Sequence, residues 1–351
     1  MKVKNIIFKR IISYILSMVC LLFVLNGCDK PETEIIKKTE PEDDTVVIGM
    51  AFDSFVIERW QRDRDVFVST AKELGAEVNV QNANGDIEEQ KQQILYFIEQ
   101  GVDVIVIICI DADTLSDEVA KAKNAGIKVI AYDRIVRDSN VDLYISFDNA
   151  EVGQQMGQAL VDNGLSQGDN IIMIGGSTTD YNVPMLEDGF KSVMNENGIN
   201  ILDSTHCEGW RAELAADYMY DNEELISQAD AIMCGNDNIA TNVVSVLAEK
   251  RLAGTVLVSG QDADLEACQR IVEGTQVVTV YKPVSMLASD AANYAVMLAK
   301  GEDIGEHGMI NDGTYDVPYV SLTPIAVTKD NIDDVIINRG FHTREDVYLL
   351  Q

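Results

Sequence analysis

Along this chain apolar runs alternate with helical periodicity. Five of the apolar runs stop at a small polar cluster: Phe52-Asp53-Ser54, Tyr132-Asp133-Arg134, Gly235-Asn236-Asp237, Gly260-Gln261-Asp262 and Tyr281-Lys282. The runs read as strands at Val46–Phe52, Glu77–Gln81, Val104–Ile110, Lys128–Tyr132 and Leu143–Phe147. A second series follows at Asn170–Ile174, Asn200–Cys207, Ala231–Cys234, Val256–Ser259 and Gln276–Tyr281. Between them the spacing of apolar residues predicts helices: one through Trp60, Phe67 and Leu74 that stops at Gly75, then Ile87–Gln100, Leu115–Asn124, Ala150–Asn163 and Met185–Asn197. Arg211–Leu225, Ala240–Lys250, Leu265–Glu273 and Val284–Leu298 complete the set. Unbroken apolar strands are expected where helices cover both sheet faces, so the pattern predicts two doubly wound parallel-sheet α/β domains in tandem. In such sheets ligands bind beyond the carboxyl ends of the strands. The polar clusters therefore outline a cleft between the two domains, hinged and able to close.

The first 44 residues do not join this pattern. Lys2, Lys4, Lys9 and Arg10 precede an apolar stretch from Ile11 to Leu25, as in a secretory signal over residues 1–27. The stretch closes on Leu25-Asn26-Gly27-Cys28, which resembles a bacterial lipobox, so lipidation of Cys28 is the expected fate. The alternative is an ordinary signal cleaved nearby, with Cys28 left as a thiol. Residues 28–44 are charged, carry Pro31 and Pro41, and read as a linker between a membrane and the folded body.

Charge narrows the partners. The 351 residues include 27 Lys and Arg against 58 Asp and Glu; without the four basic residues of the leader, 23 oppose 58, a net charge near −35. Such a surface repels phosphate backbones, and nucleic acid is excluded as a partner. Of six cysteines, Cys20 lies in the leader, and Cys109, Cys207, Cys234 and Cys268 show no disulfide framework.

Catalytic chemistry finds little support. There is no G-x-G-x-x-G after the first strand, no phosphate-binding loop, no G-x-S-x-G elbow, and the three histidines stand apart. Asp111-Ala112-Asp113 and Asp262-Ala263-Asp264 lack the glycine and distal glutamate of a calcium loop. No enzyme activity, cofactor or metal is expected. The carboxylates, amides, guanidinium and ammonium at the strand ends instead suit a neutral ligand rich in hydroxyls, whose donors and acceptors they match. Trp60 or Trp210 could supply the aromatic wall that a sugar ring prefers.

Several segments then become recognisable. Glu58-Arg59-Trp60-Gln61-Arg62-Asp63-Arg64-Asp65, Ala131-Tyr132-Asp133-Arg134, Tyr144-Ile145-Ser146-Phe147-Asp148-Asn149, Ser259-Gly260-Gln261-Asp262-Ala263-Asp264-Leu265 and Val280-Tyr281-Lys282-Pro283 resemble the bacterial D-xylose-binding proteins of ABC transport. The likeness extends in order from about Thr45 to Phe341. It implies a type I periplasmic-binding-protein fold whose chain crosses between lobes three times, near Asn149, near Lys282 and near Asn311 to Thr314. The N-terminal lobe is then 45–149 plus 282–312, and the C-terminal lobe 150–281 plus 313–351. The resemblance also implies a ligand site of Arg59, Asp133, Arg134, Asn182, Trp210, Asn236, Asp262 and Lys282. Arg59, Arg134 and Lys282 would donate to sugar oxygens, Asp133 and Asp262 would accept, Asn182 and Asn236 would do both, and Trp210 would stack. Asp53 takes a flanking role. The family's paired asparagines are replaced here by Tyr181-Asn182, a change that could alter the pocket wall and the preferred sugar.

The expected protein is a monomeric extracytoplasmic lipoprotein, held at the cell membrane through Cys28, that binds a pentose, foremost D-xylose, and delivers it to an ABC permease. The alternative is a sensory subunit that presents its liganded form to a membrane histidine kinase or chemoreceptor.

Overall fold

A computed structural model describes residues 45–57 and 59–349. The leader, the lipobox cysteine Cys28 and the linker fall outside the described residues.

The first lobe starts with β1 (Val47–Phe52), α1 (Arg59–Glu73), β2 (Glu77–Asn82), α2 (Ile87–Gln100), β3 (Val104–Ile107), α3 (Ser116–Asn124), β4 (Lys128–Tyr132) and β5 (Leu143–Phe147). The second holds α4 (Asn149–Asp162), β6 (Asn170–Gly175), α5 (Asn182–Glu196), β7 (Asn200–His206), α6 (Glu213–Asp221), α7 (Glu223–Ile226), β8 (Ala231–Cys234), α8 (Asp237–Glu249), β9 (Leu257–Gln261), α9 (Leu265–Glu273) and β10 (Val278–Tyr281). α10 (Val284–Ala299) returns to the first lobe and packs on α1. β11 (Gly308–Asn311), β12 (Asp316–Leu322), β13 (Ile325–Val327) and α11 (Arg344–Val347) follow, with short helical turns at Glu208–Trp210 and Asp333–Ile337. One sheet has the order β11-β12-β5-β4-β3-β1-β2 and the other β13-β10-β9-β8-β6-β7. In both, the strand order reverses beside the first strand of the lobe, which opens a crevice at the carboxyl ends.

The strands form where the sequence is apolar without interruption. Ile105, Val106 and Ile107 are fully buried, as are Ile171 to Ile174 of β6, because helices cover both faces. Helix ends carry their own signals. Asp86 accepts from the backbone N–H groups of Glu88 and Glu89 to start α2, and Gly101 ends it in the left-handed conformation.

Three features depart from the sequence pattern. The helix expected over Arg211–Leu225 is broken at Asn222 into α6 and α7. The strand expected to reach Ile110 ends at Ile107. The third crossing also falls later than Asn311 to Thr314. β12 lies parallel to β5, pairing Tyr319 with Tyr144 and Leu322 with Phe147, so the chain stays with the first sheet through Leu322. It then passes directly into β13, antiparallel to β10 in the second sheet. Val317 is fully buried and Tyr319 stacks on Tyr144 with ring centroids 5.0 Å apart, contacts that hold β12 to the first lobe.

The second lobe is tightest where α4 crosses α5. A Cβ at Gly153 would lie 1.8 Å from the Leu186 carbonyl oxygen, and one at Gly189 would lie 2.0 Å from that of Ala150. Two glycines thus let the helix backbones meet. Gly153→Ala is expected to cost about 1–3 kcal/mol, since overpacking forces the backbones apart. Urea denaturation checks this, and an unchanged midpoint would contradict so close a crossing.

Candidate ligand-binding cleft

The carboxyl ends of the two sheets face each other across a narrow cleft lined by residues of both lobes, the place where open α/β sheets bind ligands. Arg59, at the first position of α1, buries its guanidinium there. Its Nη2 lies 2.7 Å from Asp133 Oδ2 and 3.1 Å from Asp63 Oδ1, and its Nη1 lies 3.9 Å from Asp262 Oδ1. The guanidinium also sits 4.4 Å from the centre of the Trp60 ring, in a cation–π arrangement. Arg134, just past β4, is held by an acid from each lobe: Nη1 is 2.7 Å from Asp53 Oδ2, and Nε is 2.7 Å from Asp180 Oδ2, although that N–H is not aimed at the oxygen. Lys282 Nζ lies 2.8 Å from Asp262 Oδ1.

Backbone conformation aims several of these groups. Asp133 has φ 63°, Asp262 φ 99° and Trp210 φ 56°. Left-handed non-glycine residues are costly and persist where surrounding contacts over-determine them. The Trp210 ring rests on the bare Cα of Gly176, where a Cβ would come within 2.2 Å of it.

Arg59, Arg134 and Lys282 share this buried space with Asp53, Asp63, Asp133, Asp180 and Asp262, and Glu187 also lines the cleft. Burial pushes Asp133 up, but Arg59, Lys282 and Arg134 together hold its carboxyl below the usual range. Burial wins at Asp53, Asp63 and Asp180, whose carboxyls lie above their ordinary value despite Arg134 or Arg59 alongside. Burial also opposes the charge on Arg59 and Arg134, yet their carboxylate neighbours raise both further, so both stay cationic. An anionic ligand would add to the acid excess. A neutral one would not.

Several buried polar atoms in the cleft have no hydrogen-bond partner among the described residues: Trp60 Nε1, Arg134 Nη2, Trp210 Nε1 and Gln261 Oε1. Asp262 Oδ1 has only its ion-pair contacts with Lys282 and Arg59. Leaving such groups unsatisfied costs about 1–3 kcal/mol each. Donors and acceptors are mixed, so the complement is a ligand that itself both donates and accepts.

Of the residues expected in the site, Arg59, Asp133, Arg134, Asn182, Trp210, Asp262 and Lys282 line the cleft. Asn236 does not. Its Oδ1 accepts from the Ile239 backbone N–H at 3.0 Å and caps α8. Asn182 joins the lobes, donating through Nδ2 to the Asp133 carbonyl at 3.0 Å and accepting from the Tyr144 hydroxyl at 3.2 Å. Tyr181 is 39% exposed, with the Arg137 guanidinium 5.0 Å from its ring centre. Asp53 is more than a flank, because it holds Arg134. Asp63, Asp180 and Asn149 were not expected, and Gln261 only as a member of its strand-end cluster. Asp63 follows Arg59 by one helical turn, a spacing visible in the sequence, whereas Asp180 meets Arg134 only because the lobes meet. Among the described residues no group of three or more His, Cys, Asp or Glu side chains could hold a metal.

Fold and cleft define a substrate-binding protein rather than an enzyme. The model of the periplasmic binding protein domain matches residues 48–303, and the chain belongs to that family. It is 43% identical to the D-xylose-binding periplasmic protein of Escherichia coli over 86% of this chain and 92% of that one. It is 40% identical to the D-xylose-binding periplasmic protein of Haemophilus influenzae, again over 86% and 92%. Among solved structures it resembles a carbohydrate transporter solute binding protein from Chloroflexus aurantiacus in complex with D-glucose. That likeness has a TM-score of 0.77 and 26% identity, covering 86% of this chain and 97% of that chain.

A lowered carboxyl value stabilises the fold above its unfolded value, near 4, and the contribution is lost as pH falls through the folded value. Asp133→Asn is therefore expected to lower the urea midpoint at neutral pH, with the gap to wild type closing below about pH 4. A gap independent of pH would show that Arg59 does not hold Asp133 ionised.

Proposed function

We propose that the protein binds a pentose, foremost D-xylose, and presents it to an ABC permease. The observation that carries the reading is the cleft itself: fixed cations, carboxylates and unpartnered indole, guanidinium and amide groups, buried together between two lobes. A monosaccharide offers several hydroxyls, each able to donate to a carboxylate and accept from a guanidinium or ammonium. Trp60 and Trp210 offer the apolar surface for its ring. The relatives named for D-xylose favour that sugar within the class.

No bond is made or broken in this function. Arg59, Arg134 and Lys282 would donate to ring and hydroxyl oxygens, Asp133 and Asp262 would accept, and the excluded water would strengthen each bond. Contacts that span the lobes, Asn182 with Asp133 and Arg134 with Asp180, belong to the closed form. Closure over the sugar would be the state the permease reads.

Calorimetry of the mature protein against a panel of pentoses and hexoses tests this. D-xylose is expected to bind with a micromolar Kd, about 8 kcal/mol, and Asp262→Ala to lose at least about 2 kcal/mol by leaving buried donors unpaired. Tight hexose binding with silence toward every pentose would overturn the substrate. An unaltered affinity in Asp262→Ala would show that the cleft assignment is misplaced.

The location proposed is extracytoplasmic, with the folded body tethered through lipidated Cys28 and the acidic linker. Cells fed radiolabelled fatty acid should label the wild-type protein and not Cys28→Ala, which should be released from the membrane. An unlabelled, soluble wild-type product would refute the anchor.

A further inference from the structure

Asp237, the first residue of α8, is fully buried and does not line the cleft. Two side chains and one backbone N–H donate to its carboxylate. Gln276 Nε2 lies 2.8 Å from Oδ1, and the Thr279 hydroxyl and the Asp264 backbone N–H lie 2.5 and 3.1 Å from Oδ2. The orientation of Gln276 is set from behind, because its Oε1 accepts from Arg270 Nε at 2.9 Å. Thr279 passes the constraint on: its Oγ1 accepts from the Ala263 backbone N–H at 3.0 Å. Gly260 makes the room, since a Cβ there would stand 2.2 Å from Asp237 Oδ1.

The segment held in this way is the turn that carries Asp262. Asp262 and Ala263 are successive non-glycine residues with φ of 99° and 56°, a conformation that L side chains resist and that must be imposed from outside. The amides of Ala263 and Asp264 are tied to Thr279 and Asp237, while the Asp262 amide donates to the Val280 carbonyl at 2.9 Å. Asparagine at 237 could not replace aspartate, because its NH2 would face a donor in either orientation.

We propose that Asp237 is a positioning residue for ligand binding: with Thr279 it clamps the Asp262–Asp264 turn in the left-handed form that points Asp262 at the ligand. The inference rests on Asp262 being a sugar contact, as proposed above. The clamp itself is independent of which sugar binds.

A double-mutant cycle on the full-length protein tests it, with the panel sugar that wild type binds best as probe. Thr279→Val, which keeps the shape and removes the hydroxyl, is expected to weaken binding at least about tenfold, whereas Thr279→Ser should stay within about threefold. In an Asp262→Ala background the same Thr279→Val change should alter affinity less than about threefold, because its effect runs through Asp262. Hydrogen exchange without sugar gives a second readout: the Ala263 and Asp264 amides should be protected in wild type and released in Thr279→Val. Thr279→Cys, of similar size with a weaker donor, serves if the valine variant does not fold. Equal losses in both backgrounds, or binding by Thr279→Val within about threefold of wild type, would overturn the proposal. Unchanged exchange of the two amides would overturn the clamp. A wild-type protein silent to every sugar would defeat the sugar reading alone, and the exchange measurement would still decide the clamp.

Discussion

Arg134 is a buried cation held by one carboxylate from each half of the molecule, Asp53 from the end of the first strand and Asp180 from the loop before α5. A guanidinium this deep is tolerable only when its charge is matched, since desolvating an ion costs several kcal/mol. Matching it from a single lobe would leave the cleft indifferent to closure. With the two acids divided between the lobes, drawing the lobes apart strips Arg134 of one partner and readmits water. The same holds around Asp133, which takes the guanidinium of Arg59 from its own lobe and the amide of Asn182 from the other. The cleft is therefore a charge network that is complete only when closed.

This network also decides what can enter. Breaking a buried ion pair is far more costly than forming it is favourable, so a ligand that carried its own charge would have to displace a counterion. One that presents hydroxyls inserts between existing partners. Trp60, stacked against Arg59 at 4.4 Å and against Arg134 at 5.5 Å, adds to the binding surface while its cation–π contacts hold both guanidinium planes in place. On the far side Arg62 donates to the Phe341 carbonyl at 3.1 Å and covers its ring, a further contact between the first-lobe helix and the chain's last segment.

The architecture was legible in the sequence wherever strands are buried on both faces, because such strands are apolar throughout; β4 and β5 match their expected bounds residue for residue. It was illegible at β11 to β13. Pro318 interrupts β12, a residue that cannot donate to a ladder and so argues against a strand. Exposed Gly308 and Met309 gave β11 no apolar signal. The third crossing came from the resemblance rather than from the pattern, and it falls later because β12 stays paired with β5. In the site, residues at strand ends could be read locally, and Arg59, Asp133, Arg134 and Asp262 lie where the pattern and the resemblance placed them. Asn236 adds a local role that the reading did not name. An asparagine three residues before Ile239 suits a helix cap and a ligand contact by residue type alike, and the bond from the Ile239 amide shows the cap while engaging only Oδ1. Asp180 carries no local mark at all, since its role exists only across the lobes.

The strained turns follow from the same division of labour. A strand that ends regularly would point its last side chains to either face of the sheet, away from the crevice. Asp133 and Asp262 reach into the cleft because each strand end twists into the left-handed region, and each twist is held by groups that do not face the ligand. At Asp133 the carbonyl accepts from the hydroxyls of Ser146 at 2.6 Å and Tyr144 at 3.2 Å. At Asp262 the following amides are fixed by Thr279 and Asp237. Both carboxylates are thus aimed before a ligand arrives, and binding need not supply the free energy to order them. The cost of that order is carried by the fold, in contacts one layer behind the cleft.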